Sequence, residues 1–285
     1  LLKQLKAQRL RDEVEVVIVV VVDGSTDGTL EMLGGRFPGV RVVRGDGDWW
    51  YTRSMNEGFM HVEKLSVDHV LAMNDDCQIQ DTYIETLVEA VEKAGKNSVV
   101  GSLCLTVGKP HRVFFSGIKR INWALYSSDV YHRFLSPCDP DRLSGLHPSV
   151  VLPGRGMLIP MKILKRLDYF DETFPQYGSD DDFCLRCLEK NVGVYVSWDS
   201  RVYNEPQRTG SGSAFVKQPF FVFLKGFFYK YSRTYIKKEM VRLWRHGDKV
   251  FFPVAFTILI RKRFTDYFFG PKVVSGDLGT HDEGR

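Results

Sequence analysis

Apolar and charged positions alternate at helical spacing in the opening LLKQLKAQRLRD, which predicts an amphipathic helix over residues 1–10. The pattern then switches. VEVVIVVVV, residues 14–22, is an almost unbroken β-branched run and predicts a strand buried on both faces. Helical spacing returns at 30–33 and 55–65, while short apolar runs at 40–43, 67–73 and 98–105 predict further strands. Asp81 stands where it would cap a helix running to about Ala94. Strands and helices in alternation predict an α/β fold, a mostly parallel sheet with helices on its faces.

The second half is less regular. Residues 108–149, rich in Pro, His, Ser and aromatic side chains, predict strands joined by long loops of the kind that cover a site. VVLPGRGMLIP, residues 150–160, regains strand character around a Gly154-Arg155-Gly156 turn, with a helix at 182–189 and a strand at 193–198. From Phe215 to Phe269 the chain is crowded with Phe, Tyr and Trp set among Lys and Arg. The longest uncharged run there, 250–260, is well short of the roughly 20 residues that cross a bilayer. Two readings stand for this stretch: helices lying on an anionic membrane surface, or a solvated helical bundle packed on the preceding domain. The change of character divides the chain into a domain over 1–214 and a basic, aromatic helical extension over 215–285.

Charge sharpens that division. Between Lys217 and Lys272 thirteen Lys and Arg face three acids, yet the whole chain carries only +4, so the carboxylate-rich and basic parts are separate regions. A net charge this small does not point to nucleic acid as a partner. With 44% hydrophobic and 26% charged residues among 285, the composition is that of a soluble globular protein with ample core. Five cysteines without framework spacing suit a reducing, cytoplasmic compartment. Cys184 and Cys187 form a lone CxxC, read as core or helix-face thiols rather than half a zinc site. The amphipathic opening does not have the form of a signal peptide, and a first residue of Leu rather than Met is what a fragment would show.

Three carboxylate clusters carry the candidate chemistry. Asp23 and Asp27 follow the first strand, Asn74-Asp75-Asp76 follows another, and Asp180-Asp181-Asp182 opens a helix. In open parallel sheets ligands bind beyond the C-terminal strand ends. Carboxylates converging there repel one another unless a cation or hydrogen-bond donors neutralise them, so a divalent metal is the economical explanation. Asp23-x-Ser25-x-Asp27-Gly28 also fits the first half of an EF-hand loop, but the twelfth position is Gly34 and β-branched residues stand where a helix should. A Walker phosphate loop fails for want of a GK[ST] after the glycines.

In order along the chain, VVDGSTDGT, GDGDWWYTRSMNEG, LAMNDDCQI, VLPGRGMLIP and FDETFPQYGSDDDFCLRCLEKNVGVYV resemble the family 2 glycosyltransferases of the GT-A fold. The likeness is nearest to the bacterial branch with rhamnosyltransferase-like and other cell-surface polysaccharide enzymes, and it spans residues 1–210. It implies an inverting transfer of a sugar from a UDP- or dTDP-sugar to a hydroxyl of a glycan or lipid-linked acceptor, and the basic, aromatic extension is what places that transfer at the cytoplasmic face of the membrane. By position, Asp23 matches the acidic residue of the nucleotide pocket and Asp180 the catalytic base. Asn74, Asp75 and Asp76 match the family's DxD element, with Asp76 at the place that holds Mg2+ or Mn2+; alone, the same three residues would read as a helix-capping turn. Asp182 is read as a helix cap or an acceptor contact, since acids in a first helical turn are favoured by the dipole. From its glycine turn Arg155 can clamp a phosphate or carboxylate, or simply be surface. Trp50 is read as a wall of the donor pocket, although Trp pairs are more often core, and Asn56 completes the donor-side set.

Three departures qualify the likeness. The family's first strand would precede Leu1, so an interior gap with unpaired neighbouring edges is expected, and with it a chain poorly stable or inactive alone. Val22 stands where many relatives carry an acid beside Asp23. Asn204 stands where many have a histidine that completes the metal shell, and its amide oxygen is a weaker ligand. These departures keep open a second reading, a catalytically inactive GT-A domain that binds nucleotide or glycan. A sugar nucleotidyltransferase would need a basic Gly-rich loop near the N-terminus, which this chain lacks.

Overall fold

The computed structural model describes residues 1–205 and 219–269. The domain boundary expected at 214 lies outside the described residues, as do Phe215, Lys217 and Lys272. The chain divides into two compact units, one of Leu1–Ile121 with Ser128–Asn204, the other of Asn122–Ser127 with Glu205–Arg285.

In chain order the first unit begins with α1 (Leu2–Lys6), β1 (Val19–Asp23), α2 (Thr29–Arg36), β2 (Arg41–Gly45), α3 (Trp50–Glu63) and β3 (His69–Ala72). It continues through β4 (Cys77–Ile79), α4 (Tyr83–Ala94), β5 (Ser98–Thr106), β6 (Val113–Phe115), β7 (Ile118–Asn122), β8 (Ser127–Val130) and β9 (Leu146–Pro148). It closes with β10 (Met157–Pro160), α5 (Met161–Arg166), α6 (Ser179–Glu189) and β11 (Gly193–Asn204). The main sheet runs β3-β10-β5-β11-β4, with β5 and β11 parallel and β10 antiparallel to β3. All nine residues of β5 are buried, which is why SVVGSLCLT does not alternate. Against this sheet α4 lays Ile84, Leu87, Ala90 and Val91, spaced for one helical face. Leu87 is fully buried and contributes about 2 kcal/mol on transfer from water.

The strand predicted over 14–22 forms only as Val19–Asp23, and it is half-buried rather than buried on both faces. Val16 and Val17 remain 37% and 38% exposed. The reason is pairing. Among the described residues β1 bonds only to β2, in a two-stranded sheet of its own, and β3 bonds only to β10. A cavity of about 2770 Å3 lies along both, lined by Val19 to Val22 on one side and His69, Val70 and Leu71 on the other. A β-branched run becomes a fully buried strand only where a neighbour pairs on each side. Two helix starts also differ. Asp81 does not cap α4, whose N-cap is Thr82; its carboxylate instead pairs with Arg9 at 2.8 Å. The helix predicted at 55–65 begins five residues earlier, at Trp50.

The second unit holds α7 (Phe220–Gly226), α8 (Ile236–His246) and α9 (Phe252–Phe269) with the tip of the β7–β8 hairpin. Leu243, Ala255 and Leu259 form its core, with Trp123, Tyr126, Phe252 and Phe256 packed around them. Glu239 is buried beside this core and takes Arg242 at 2.9 Å and Arg263 at 2.8 Å. None of the described helices is long and apolar enough to cross a membrane.

Candidate active site

The site forms beyond the C-terminal ends of β1 and β3, where chain reversals free side chains from the sheet. Asp23 ends β1, and its carboxylate gathers the loop that leads from β2 into α3. Oδ1 accepts the Gly47 N–H at 2.7 Å, and Oδ2 accepts those of Trp49 at 2.8 Å and Trp50 at 3.1 Å. A Cβ on Gly45 would lie 2.4 Å from Asp23 Oδ1, so the carboxylate can approach only because Gly45 has none. Trp50 sits at φ 56° with its indole N–H on Asp48 Oδ1 at 2.9 Å, and it is 37% exposed. Asp23, Trp50, Tyr51, Asn74 and Asp75 line the same cavity. Four residues of the predicted donor-side set are thus brought together on it.

Asp180 is presented by the first turn of α6 and is fixed through its neighbours. Gly154 N–H donates to its Oδ2 at 2.8 Å and Asp181 N–H to its Oδ1 at 3.0 Å. The start of α3 is tied to the loop before α6: Tyr51 N–H donates to Gln176 Oε1 at 3.0 Å, and the buried Thr52 hydroxyl donates to the Phe174 carbonyl and shares a hydroxyl–hydroxyl hydrogen bond with Ser179 Oγ at 2.9 Å. Tyr51 therefore stands beside Asp180. Burial, and then the Asp180 charge, raise its phenol well above the usual tyrosine range, so it stays neutral. Tyr51 Oη occupies the space where Gly154 would carry a Cβ, 1.7 Å from that position.

The third group surrounds Asp76. Asn204 at the end of β11 is fully buried and donates its Nδ2 to Cys77 Sγ at 3.2 Å and to the Asp76 carbonyl at 3.5 Å, leaving Oδ1 without a partner. Arg155 stacks its guanidinium on Phe114, 5.2 Å from the ring centre, and its buried Nη1 also has no partner. Tyr51 Oη is a third such atom. Burial pushes the Cys77 thiol up to about 11, so it stays protonated at neutral pH. Among the described residues no three His, Cys, Asp or Glu side chains form a metal cage. What the site offers is oxygen, the Asp76 carboxylate and the orphaned Asn204 Oδ1. That donor set fits a hard cation such as Mg2+ or Mn2+, which takes few protein ligands and fills its shell with phosphate and water oxygens.

Other candidates are placed elsewhere. Asn56 is spent on packing: Nδ2 donates to the Phe170 carbonyl at 2.9 Å and to Glu172 Oε1 at 3.2 Å, and Oδ1 accepts the Phe170 N–H at 3.1 Å. Asp182 is fully buried and pairs with Arg186 Nε at 2.7 Å. Asp27 bonds the hydroxyl and N–H of Thr29 at the start of α2, and those bonds hold its carboxyl below the usual range. Cys184 and Cys187 are buried free thiols, and burial raises both. Sequence reading prefers Trp50 to Tyr51 within its aromatic run, takes Gly154 only as part of the turn that carries Arg155, and does not single out Gln176. The GDGDWWY run already held Tyr51, but nothing local distinguishes its ring from the two indoles beside it.

Residues 1–133 match the model of glycosyl transferase family 2. No curated protein is a significant match. Among solved structures, GalNAc-T7 with UDP, GalNAc and Mn2+ is similar at a TM-score of 0.56 and 13% identity, covering 90% of this chain and 52% of that one. The Staphylococcus aureus TarS fragment 1–349 in complex with UDP gives 0.49 and 19%, covering 73% of this chain and 56% of that one. The chain thus spans about half the length of the solved structures it matches. The first unit carries a GT-A glycosyltransferase fold, with its match to glycosyl transferase family 2 running over residues 1–133.

Proposed function

We propose that this chain is an inverting glycosyltransferase that moves a sugar from a UDP- or dTDP-sugar to an acceptor hydroxyl. One observation supports it above the others. Three buried polar atoms have no partner: Tyr51 Oη beside Asp180, Asn204 Oδ1 in the residue that bonds the Asp76 carbonyl, and Arg155 Nη1, whose guanidinium charge acts on both Tyr51 and Cys77. Buried polar atoms left unpaired cost stability, and a ligand rich in hydroxyl and phosphate oxygens would satisfy them.

In this reading Asp180 accepts the proton of the acceptor hydroxyl as its oxygen attacks the anomeric carbon, and the sugar–phosphate bond breaks on the opposite face. Gly154 and Asp181 N–H groups hold both Asp180 oxygens, which fixes the carboxylate for that transfer. Asp76 and Asn204 Oδ1 are the residues that would hold a divalent cation, and its positive charge would offset the negative charge of the diphosphate leaving group. Arg155 adds a second positive group on the leaving-group side. The motif likeness suggests a glycan or lipid-linked acceptor in cell-surface polysaccharide synthesis, in a rhamnosyltransferase-like enzyme working at the cytoplasmic face of a membrane.

Among the described residues, the lack of a multi-carboxylate cage and the open edge of β1 favour one second reading, an inactive domain that only binds nucleotide or glycan. Asp180→Asn separates the two when UDP- and dTDP-sugars are screened for turnover and for Mn2+-dependent thermal shifts. The enzyme reading expects wild-type turnover that falls about 10²–10⁴-fold in the variant while the donor-induced shift is kept. Donor binding with no turnover in either protein would establish the binding module instead.

A further inference from the structure

The second unit keeps on its surface what a soluble domain buries. On α8, Met240 and Trp244, four residues apart, are 39% and 54% exposed, while Leu243 beside them is core. The turn that follows holds Val250 at 81% and Phe251 at 46% exposure, and Val254 in α9 is 52% exposed. This corner is firmly built. Asp248 Oδ1 accepts the Val250 N–H at 2.9 Å, Trp244 meets Phe252 edge to face with ring centres 5.7 Å apart, and Lys249 Nζ lies 5.3 Å from the Trp244 ring. A hydrogen-bonded turn that projects contiguous large apolar groups marks an interaction surface.

Charge selects the partner. Lys237, Arg245, Lys249, Arg261 and Lys262 are exposed on the α8–α9 segment, against two exposed acids there, Asp248, which is engaged in the turn, and Asp266. A second copy presenting the same basic patch would be repelled, since a two-fold interface sets like surfaces together. An anionic bilayer accepts both features at once. Indole and phenyl rings settle at the level of the headgroups, and lysine and arginine reach the phosphates.

We propose that the α8–α9 corner is a docking surface for anionic phospholipid bilayers, by which the chain binds at a membrane surface. The inference deepens the placement at a membrane face and stands apart from the transfer chemistry, so its failure would leave Asp180 and the donor site untouched. Co-sedimentation of the full chain with phosphatidylglycerol–phosphatidylcholine vesicles, and with phosphatidylcholine alone, tests it. Binding is expected to the anionic vesicles at about 0.05 M salt, falling about tenfold or more at 0.5 M as charges are screened. Trp244→Ser with Val250→Ser and Phe251→Ser should lower it about tenfold, and Lys249→Ala with Arg261→Ala and Lys262→Ala should remove most of the salt dependence. All six positions are exposed, and circular dichroism checks that both variants stay folded. No binding at low salt, equal binding by the serine variant, or self-association abolished by that variant without vesicle binding would each overturn the proposal.

Discussion

Gly154 shows how closely the residues about Asp180 are fitted. Its N–H holds the carboxylate, and its missing Cβ leaves the room that Tyr51 Oη fills. Gly154→Ala would place a methyl 1.7 Å from that oxygen, so the phenol or the loop must shift, and the N–H at Asp180 shifts with it. The expected outcome is a loss of about 1–3 kcal/mol from overpacking and a clear fall in transfer rate, measured by thermal melts and initial rates. Tyr51→Phe in the same chain leaves the ring carbon, 3.0 Å from the new methyl, as the nearest atom. The double variant should therefore recover part of the loss, a coupling that a double-mutant cycle reads directly. Strictly additive losses would show that the two residues do not compete for this space. None of this was legible from the residues in order, because a glycine beside an arginine reads equally as a surface turn. What makes Gly154 matter is a tyrosine about a hundred positions earlier.

At the scale of elements, periodicity reported what a segment buries and was silent about what pairs with it. β5 and α4 were legible because both faces of one and a single face of the other meet core. The run 14–22 was over-read, since β-branched residues announce a strand wherever they stand, while its buried length depends on a neighbour. The same logic explains Asn56, a polar residue in a donor-like motif whose amide serves the Phe170 backbone. Strand edges with no partner should be the dynamic part of the first unit. Hydrogen exchange of the full chain is expected to show amides of β1 and β3 that face the cavity exchanging about 10² times faster than those of β5, which is paired on both sides. Equal protection across all three would mean that β1 and β3 find a pairing partner in solution, and the cavity reading would fail.

At the scale of the whole molecule, the segregation of charge visible in the composition has one buried consequence. In the second unit Glu239 lies among Arg242, Lys238 and Arg263 and accepts the Tyr126 hydroxyl at 2.7 Å. Burial alone would raise its carboxyl, but Arg242, Lys238 and Arg263 outweigh burial and hold it down at about 2. A carboxyl depressed on folding adds stability that is complete above its ordinary 4.5 and is lost as pH falls towards 2. Lys238 acts in the other direction: burial lowers it to about 8, so its charge costs stability below that pH and the cost is relieved towards 10.5. Glu239→Gln removes the buried anion that Arg242, Lys238 and Arg263 share and should cost about 3 kcal/mol at neutral pH. The decisive measurement is the difference between wild-type and variant melting temperatures from pH 7 to pH 2. It should be largest at pH 6–7 and shrink between 4.5 and 2, where the native carboxylate takes up its proton. A difference that stays constant across that window would show that the Glu239 charge contributes nothing, and that shape alone holds this corner of the fold.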